Sequence, residues 1–206
     1  MRAKDHWELL YSTRDSAALS WYQNHAARSL RLIHETGAQV SAPIIDVGGG
    51  ASTLVDDLLG EGYTDLTVLD LSAAALVAAR ARLGARAGQV RWVEADVMAA
   101  ALPAHHFDIW HDRAVFHFLI SPQDRQAYVQ AVLDAVRPGG HVIVATFGMD
   151  GPTECSGLPV RRYTADGLHS EFGEPFTLLR HEQEDHRTPW GTVQQFIYCY
   201  CRRQGS

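Results

Sequence analysis

The sequence is poor in cysteine and has neither a long apolar run nor a run of basic residues. The three cysteines, Cys155, Cys199 and Cys201, are an odd number, and the last two lie too close along one predicted strand to bridge each other. No stretch approaches the ~18–20 apolar residues that a membrane-spanning helix needs. The N-terminus lacks the apolar core of a secretion signal. We therefore expect reduced thiols, a cytoplasmic location and no membrane partner.

The charge balance argues against a nucleic-acid partner. Lys and Arg number 18 against 24 Asp and Glu, a net charge of −6 over 206 residues. Binding to phosphate groups needs a basic surface, which this composition does not supply. With 46% hydrophobic residues and no repeats or linkers, the chain predicts one globular domain. No part of the pattern marks a dimer face, so the oligomeric state stays open.

Strand-like runs alternate with helical patterns along most of the chain. Strands are predicted at 43–47, 66–70, 90–93, 107–110 and 141–147, with a further helix at 24–35. After residue 147 the sequence predicts a long loop over 148–160, a short helix over 164–172, and two strands, 176–181 and 192–201, that pair antiparallel. This alternation indicates an α/β fold with a mostly parallel sheet.

The first predicted strand ends in a glycine-rich turn that begins with an acid, Asp46-Val-Gly48-Gly49-Gly50, and the next strand ends in Asp70. Glycines let the backbone approach a ligand closely, and an acid twenty residues after Gly50 can accept hydrogen bonds from the hydroxyls of a ribose. A dinucleotide site of the G-x-G-x-x-G type is disfavoured because residues 48–53 read GGGAST, without the last glycine. The acid before the glycines suits a ligand that carries an ammonium group.

This chain resembles the class I S-adenosylmethionine-dependent methyltransferases in five ordered motifs over residues 40–147. These are the Asp46–Gly50 turn, Asp70-Leu71, the acidic turn 94–97, the 107–112 strand end and the Arg-Pro-Gly-Gly run at 137–140. The resemblance implies a three-layer Rossmann-like fold with a seven-stranded, mostly parallel sheet and an antiparallel C-terminal hairpin. It also implies S-adenosyl-L-methionine as cofactor, with S-adenosyl-L-homocysteine as product. The cofactor-binding residues implied are Asp46, Gly48, Gly49, Gly50, Asp70, Leu71, Asp96, Val97 and His111.

By the same resemblance, residues 1–206 form one methyltransferase domain. Residues 1–40 would provide an N-terminal lid and helix, 41–147 the cofactor-binding core, and 148–206 a specificity loop followed by the antiparallel hairpin. A chain of this length leaves little room for a separate substrate domain, which favours a small-molecule acceptor.

The segment after the fourth predicted strand, residues 111–118, is the candidate acceptor wall. It concentrates an acid, a cation and two histidines where open α/β sheets place their ligands. His111 or His117 could act as a general base, and Arg113 could hold an anionic acceptor or pair with Asp112. The alternative is that Asp112 and Arg113 form a structural ion pair and one histidine is simply packed. The segment is similar to the Asp-Arg stretch of thiopurine S-methyltransferases, which implies a thiol or another soft nucleophile as acceptor.

Further candidate acceptor contacts lie outside this wall. Trp21 and Tyr22 resemble lid residues of small methyltransferases, although packing against the sheet edge would also explain them. Arg162 and Tyr163 follow the predicted loop, where specificity is often determined. The histidines at 105, 106, 111 and 117 do not have the spacing of metal ligands on a helix, so we expect no metal.

We therefore predict an enzyme that moves a methyl group to a small thiol, another soft nucleophile or an amine. Two alternatives stay open: a protein lysine methyltransferase on the same scaffold, and a non-catalytic module that binds S-adenosylmethionine or a partner. An NAD(P)-binding protein is the least favoured alternative because the third glycine is missing.

Overall fold

The computed structural model describes residues 3–205. Its helices alternate with strands over the first two thirds of the chain, as the sequence predicts. The α-helices are α1 (Ala3–Thr13), α2 (Ala27–Glu35), α3 (Leu54–Gly60), α4 (Ala73–Leu83), α5 (Pro122–Ala135) and α6 (Ala165–Phe172). Short 3-10 turns cover Ser16–Ala18, Gly84–Gln89 and Phe116–Phe118. No helix of this described range is both long and apolar enough to cross a lipid bilayer.

Seven strands form one sheet, and two short ones form a separate hairpin. The strands are β1 (Ile44–Val47), β2 (Leu66–Asp70), β3 (Val90–Glu94), β4 (Phe107–Arg113), β5 (Val136–Phe147), β6 (Glu154–Cys155), β7 (Leu158–Pro159), β8 (Phe176–Arg187) and β9 (Val193–Arg203). The sheet order is β3-β2-β1-β4-β5-β9-β8, parallel through β5 and antiparallel at β9 and β8. This confirms the predicted seven-stranded, mostly parallel sheet with an antiparallel C-terminal hairpin.

Local signals fix several element boundaries. The side chain of Ser72 caps α4 by accepting from the backbone N–H of Ala75, and Gly84 ends the helix with a φ of 57°. Ser121 caps α5 in the same way, with Pro122 in the first turn. Every residue of β1 and β2 is buried, which explains why these strands are mainly apolar and do not alternate between apolar and polar residues.

The structure differs from the predicted elements in several places, and β5, for example, begins at Val136 and not at residue 141. The N-terminal aromatic segment begins with a full helix, α1, which the sequence did not predict because the contact that holds it, from the Ser72 hydroxyl to Glu8, spans 64 positions. The predicted loop over 148–160 contains the β6–β7 hairpin. The last two strands are longer than expected, since β8 and β9 pair without interruption from Arg180 to the turn after Arg187.

The sheet has hydrophobic clusters on both faces. One includes Ile44, Leu54 and Phe147, and the other includes Val47, Trp110 and Tyr128. Because β1 and β4 lie side by side in the middle of the sheet, their carboxyl ends, Val47 and Arg113, open onto the same edge.

Candidate functional site

A cavity of about 320 Å³ lies at the carboxyl ends of the central strands. Its floor comes from the turns after β1, β2 and β3, and its roof comes from α1 and residues 16–29. Of the predicted cofactor residues, the lining includes Gly48, Asp70, Leu71, Asp96, Val97 and His111. The other three, Asp46, Gly49 and Gly50, are buried directly behind this lining.

The glycine turn after β1 leaves no room for side chains. Gly48 has a φ of +65°, and a Cβ there would lie 2.0 Å from Val115 Cγ2. A Cβ on Gly49 would lie 2.4 Å from Asp46 Oδ2, and one on Gly50 would lie 2.4 Å from Asp70 Oδ2. The bare turn therefore lets two carboxylates approach the backbone.

Asp70 is the buried carboxylate of the cavity floor. One of its oxygens, Oδ1, accepts from the backbone N–H of Ser72 at 2.8 Å. Burial raises the pKa of the Asp70 carboxyl to about 7, and the nearby Asp46 carboxylate adds to this although the Ser72 N–H opposes it. Asp96, in contrast, is exposed at the rim and accepts from the N–H of Met98 at 3.0 Å. Two of the three acids that the resemblance assigns to the cofactor, Asp70 and Asp96, therefore line one cavity.

Replacing Gly50 by alanine is expected to weaken cofactor binding and to destabilise the protein by about 1–3 kcal/mol, the usual cost of over-packing. The new methyl group would lie 2.4 Å from Asp70 Oδ2 and 2.9 Å from the Ala75 Cβ, so the carboxylate must move. Calorimetric titration with S-adenosylhomocysteine and urea unfolding measure the two effects. Gly60→Ala is the matched control, since a Cβ there meets nothing within 4 Å. Equal results for the two variants would contradict the prediction.

His111 is held between two polar side chains at the cavity wall. Its Nδ1 lies 2.7 Å from Asp46 Oδ1, and its Nε2 lies 2.8 Å from Ser29 Oγ. All three residues are buried, with relative exposures of 2% for His111, 4% for Asp46 and 1% for Ser29. Asp46 therefore does not reach the cavity surface itself, and it is connected to the predicted site by its hydrogen bond with His111. Its second oxygen, Oδ2, is buried and has no hydrogen-bond partner among residues 3–205.

Arg113 lines the cavity but has partners other than Asp112. Its guanidinium donates to the Tyr198 hydroxyl at 3.0 Å, the Trp21 carbonyl at 3.1 Å and Glu184 Oε2 at 3.3 Å. It also lies over the ring of Phe196, 4.1 Å from the centroid. The possible Asp112–Arg113 ion pair is therefore wrong. Arg113 instead ties the segment that carries Trp21 to the C-terminal strands.

Asp112 and His117 do not line the cavity, contrary to the prediction of an acceptor wall. Asp112 accepts from the backbone N–H groups of Val115 and Phe116 and from the Tyr128 hydroxyl at 2.6 Å. His117 is fully buried, with Nδ1 facing the Phe147 N–H at 3.4 Å. Burial, with Arg113 nearby, lowers the pKa of His117 to about 3, so this ring is neutral at physiological pH. Both side chains stabilise the turn after β4, and their positions oppose a direct role with the acceptor.

Aromatic rings form the other half of the cavity. They are Trp7, Tyr11, Trp21, Tyr22 and Phe118. The Trp7 ring packs edge-on against those of Trp21 and Phe118, at centroid distances of 5.8 and 5.1 Å. Trp21 and Tyr22, two of the predicted acceptor contacts, therefore line the cavity.

The other two predicted acceptor residues lie elsewhere. Tyr163 is buried in the core, 3% exposed, and Arg162 donates to the carbonyls of Met149 and Gly151. Neither residue lines the cavity.

Several residues of the site were missed by sequence reasoning. Glu8 of α1 accepts from the Ser72 hydroxyl at 2.5 Å and from the Ala74 N–H, which anchors α1 over the cavity. His186 Nε2 donates to the Ser20 carbonyl at 2.7 Å, and Gln23 donates to Glu184 at 3.1 Å. No local pattern marks these contacts, because each joins residues more than 60 positions apart.

The cavity residues fit the cofactor that the motifs imply. Asp70 and Asp96 offer carboxylates for hydroxyl and amino groups, and Leu71, Val97 and Met98 offer apolar surface between them. The glycine turn is a cradle that a single Cβ would fill. Within residues 3–205, no group of three or more His, Cys, Asp or Glu side chains could hold a metal ion.

Two curated relatives are similar to part of this chain. The ubiquinone biosynthesis O-methyltransferase of Citrobacter koseri is 30% identical over 165 residues, which cover 75% of this chain and 66% of the relative. The EEF1A lysine methyltransferase 4 of Bos taurus is 27% identical over 121 residues, covering 58% of this chain and 46% of the relative. The chain spans about half the length of most of the curated relatives that it matches.

Two solved structures share the fold over nearly the whole chain. One comes from work on the conversion of a disulfide bond into a thioacetal group during echinomycin biosynthesis. It has a TM-score of 0.78 at 20% identity and covers 98% of this chain and 93% of its own. The other is the 1,6-didemethyltoxoflavin-N1-methyltransferase of Burkholderia thailandensis with bound S-adenosylhomocysteine. Its TM-score is 0.68 at 21% identity, and the match covers 98% of this chain and 83% of the Burkholderia chain.

A further sequence match covers the cavity floor. Residues 44–140 match the family model described as a methyltransferase domain. This range runs from β1 to the glycines of β5 and contains the glycine turn, Asp70, Asp96 and His111. The family model, the sheet order and the glycine turn agree, and residues 44–140 form a methyltransferase domain of the class I S-adenosylmethionine-dependent type.

Proposed function

We propose that this chain binds S-adenosylmethionine on the floor of the cavity and transfers its methyl group to a small molecule held by the aromatic half. The observation that carries the proposal is the continuity of one cavity from Asp70 and Asp96 to the rings of Trp7 and Trp21. The cofactor supplies an activated methyl group, so the chain mainly has to align the acceptor and exclude water. The O-methylating Citrobacter relative and the N-methylating Burkholderia neighbour support a small acceptor.

The charged groups around the aromatic half favour an acceptor without a strong charge. Arg113 already has three hydrogen-bond partners. Cys155, also in the lining, stays protonated because burial raises the pKa of its thiol to about 11. A flat or apolar molecule that carries a thiol, hydroxyl or amine would pack against the rings without needing a counter-ion.

The direct test is a screen with methyl-labelled S-adenosylmethionine against thiols, phenols, amines and a protein extract, preceded by calorimetry with S-adenosylhomocysteine and NAD. We expect S-adenosylhomocysteine to bind, NAD to bind weakly if at all, and a small labelled product to form. Tight NAD binding without S-adenosylhomocysteine binding would overturn the proposal.

Trp21→Ala is expected to lower kcat/KM for the acceptor by roughly 10-fold or more, since one large aromatic contact contributes about 1–3 kcal/mol. The Arg113 anchor uses the Trp21 backbone carbonyl, which the substitution leaves in place. Trp190→Ala is the matched control, because Trp190 is 60% exposed and outside the cavity lining. Unchanged kcat/KM in Trp21→Ala would place the acceptor elsewhere.

A protein lysine as acceptor is the second candidate, favoured by the similarity to the bovine lysine methyltransferase. A lysine side chain would have to pass the roof formed by α1 and the 20–23 segment. In the screen, a labelled protein band without a small labelled product would support this candidate.

A further inference from the structure

Three polar side chains from three separate elements form one hydrogen-bonded chain beside the cavity. Asp46 comes from β1, His111 from β4 and Ser29 from α2. The two contacts, 2.7 Å from Asp46 Oδ1 to His111 Nδ1 and 2.8 Å from His111 Nε2 to Ser29 Oγ, are hydrogen bonds of ordinary length. His111 and Ser29 line the cavity, whereas Asp46 does not. The chain runs from the Asp46 carboxylate through the His111 imidazole to the Ser29 hydroxyl, which lies at the cavity.

We propose that Ser29, His111 and Asp46 form a proton relay that removes a proton from the methyl acceptor. The inference rests on the proposed function and narrows its substrate class to acceptors whose nucleophilic atom carries both a lone pair and a proton, namely thiols, hydroxyls and neutral primary or secondary amines. It excludes acceptors that have nothing to release, such as thioethers and tertiary amines.

The hydrogen-bonding capacities of the three side chains define the direction of transfer. A carboxylate only accepts, so Asp46 Oδ1 requires a proton on His111 Nδ1. The neutral ring then has a bare Nε2, which accepts from the Ser29 hydroxyl. Ser29 Oγ keeps a lone pair that can accept from a group in the cavity. The same logic holds the imidazole of a serine–histidine–aspartate triad in one tautomer.

Ser29, His111 and Asp46 can take up the proton that the acceptor releases during methyl transfer. As the nucleophilic atom of the acceptor bonds to the methyl carbon, the carbon–sulfur bond breaks and its electron pair stays on sulfur, which becomes neutral. The acceptor proton passes to Ser29 Oγ, and the Ser29 proton passes to His111 Nε2. The resulting imidazolium is paired with the Asp46 carboxylate until the proton leaves to solvent after product release. No other reactant is required.

The charged and titratable groups around the imidazole come from each neighbouring element. Asp46 lies on β1. Asp112 and Arg113 follow His111 on β4, and Tyr198 of β9 lies beside Ser29. Asp112 is committed to Tyr128 and Arg113 to Tyr198 and Glu184. Asp46 is therefore the partner that fixes the ring, and Ser29 is the group between the ring and the cavity.

The first test needs no acceptor and measures the tautomer of His111 by NMR of protein labelled with ¹⁵N-histidine. His111→Gln identifies the signal among the eleven histidines. We expect a neutral ring with its proton on Nδ1 in the wild-type protein at neutral pH, and loss of that preference in Asp46→Asn. A proton on Nε2, or a charged ring, would overturn the relay, because Nε2 could not then accept from Ser29.

The second test compares two thiols of different acidity as methyl acceptors: 4-nitrothiophenol, largely ionised at neutral pH, and benzyl mercaptan, which is not. Ser29→Ala is expected to slow transfer to benzyl mercaptan by roughly 10²-fold or more, the usual range of general-base catalysis, and transfer to 4-nitrothiophenol by less than about 3-fold. Ser170→Ala, an exposed serine of α6, is the control. Equal losses for both thiols would assign Ser29 a purely structural role and overturn the proposal.

The proposed function can fail separately from the relay. If no acceptor of any class were methylated by the wild-type protein, the proposed function would be wrong, and the His111 tautomer would still decide whether the relay exists.

Discussion

Replacement of Asp70 by asparagine is expected to stabilise the ligand-free protein at pH 8 and, in the same molecule, to weaken its binding of S-adenosylhomocysteine. The pKa of this carboxyl rises from 3.8 to about 7 on folding, chiefly because the group is buried. Between these two values the folded state binds more protons than the unfolded state, so stability falls as the pH rises through this window. A shift of about three pH units corresponds to roughly 4 kcal/mol when the carboxyl is fully ionised.

Asparagine has no charge to bury, so this penalty is absent from the variant. We expect Asp70→Asn to raise the free energy of unfolding by about 1–3 kcal/mol at pH 8, with the gain shrinking towards pH 5. Affinity for S-adenosylhomocysteine should fall roughly 10- to 100-fold, because hydrogen bonds to a charged group are worth about 1.5–3 kcal/mol. In the wild type, that affinity should fall as the pH drops below about 7.

Urea unfolding of ligand-free protein from pH 5 to pH 8 and calorimetric titration measure the two halves of this prediction. Asp185→Asn is the matched control, because Asp185 is exposed on β8 and outside the cavity lining. A variant that is less stable than wild type at pH 8, or a gain in stability that does not change with pH, would contradict the burial of an ionised Asp70.

Much of the cofactor half of this site could be predicted from sequence because its signals are local. β2 was predicted with its observed ends, and the cap at Ser72 and the stop at Gly84 each depend on a few consecutive residues. The glycine turn follows β1, and Asp70 is the last residue of the adjacent parallel strand β2, so order along the chain is enough to bring them together.

The acceptor half could not be predicted in the same way, because its contacts join distant segments. Asp112 and Arg113 are consecutive residues of β4, so their side chains lie on opposite faces of the sheet, where Asp112 accepts from Tyr128 and Arg113 donates to Tyr198 of β9. His117 is buried in the turn that follows β4. The partner of His111, Ser29, lies 82 positions away on α2, where it has the pattern of an ordinary helical serine. The direction of the strands predicts at which edge of the sheet these residues lie. Their hydrogen-bond partners depend on tertiary packing, which residue spacing does not reveal.

Arg113 is an example of a residue whose partners lie in distant segments. Its replacement is expected to have a large effect on the stability of the protein. Its guanidinium joins β4 to Tyr198 of β9, to Glu184 of β8 and to the carbonyl of Trp21. The side chain is 9% exposed, and Glu184 is 13% exposed, so neither charge is well solvated. Removing one member of such a buried pair typically costs about 3–5 kcal/mol, because the other charge loses its partner.

We therefore expect Arg113→Ala to lower the free energy of unfolding by roughly 3–5 kcal/mol and to increase amide hydrogen exchange at Tyr22, whose backbone N–H donates to the Leu19 carbonyl. Arg113→Lys, which keeps the charge but not the three separate donors, should fall between that variant and wild type. Arg137→Ala is the control: its side chain is 53% exposed and pairs with Asp108, so it should cost less than about 1 kcal/mol.

The two roles considered for Arg113 give opposite patterns in these measurements. If it held an anionic acceptor, Arg113→Ala would lose turnover while unfolding and exchange stayed close to those of Arg137→Ala. As the tie between the 20–23 segment and the antiparallel strands, it should instead loosen the aromatic half of the cavity before any acceptor binds. Acceptor affinity and S-adenosylhomocysteine affinity would then fall together, because Trp21 and Tyr22 form part of the roof over the cavity that we propose for both ligands.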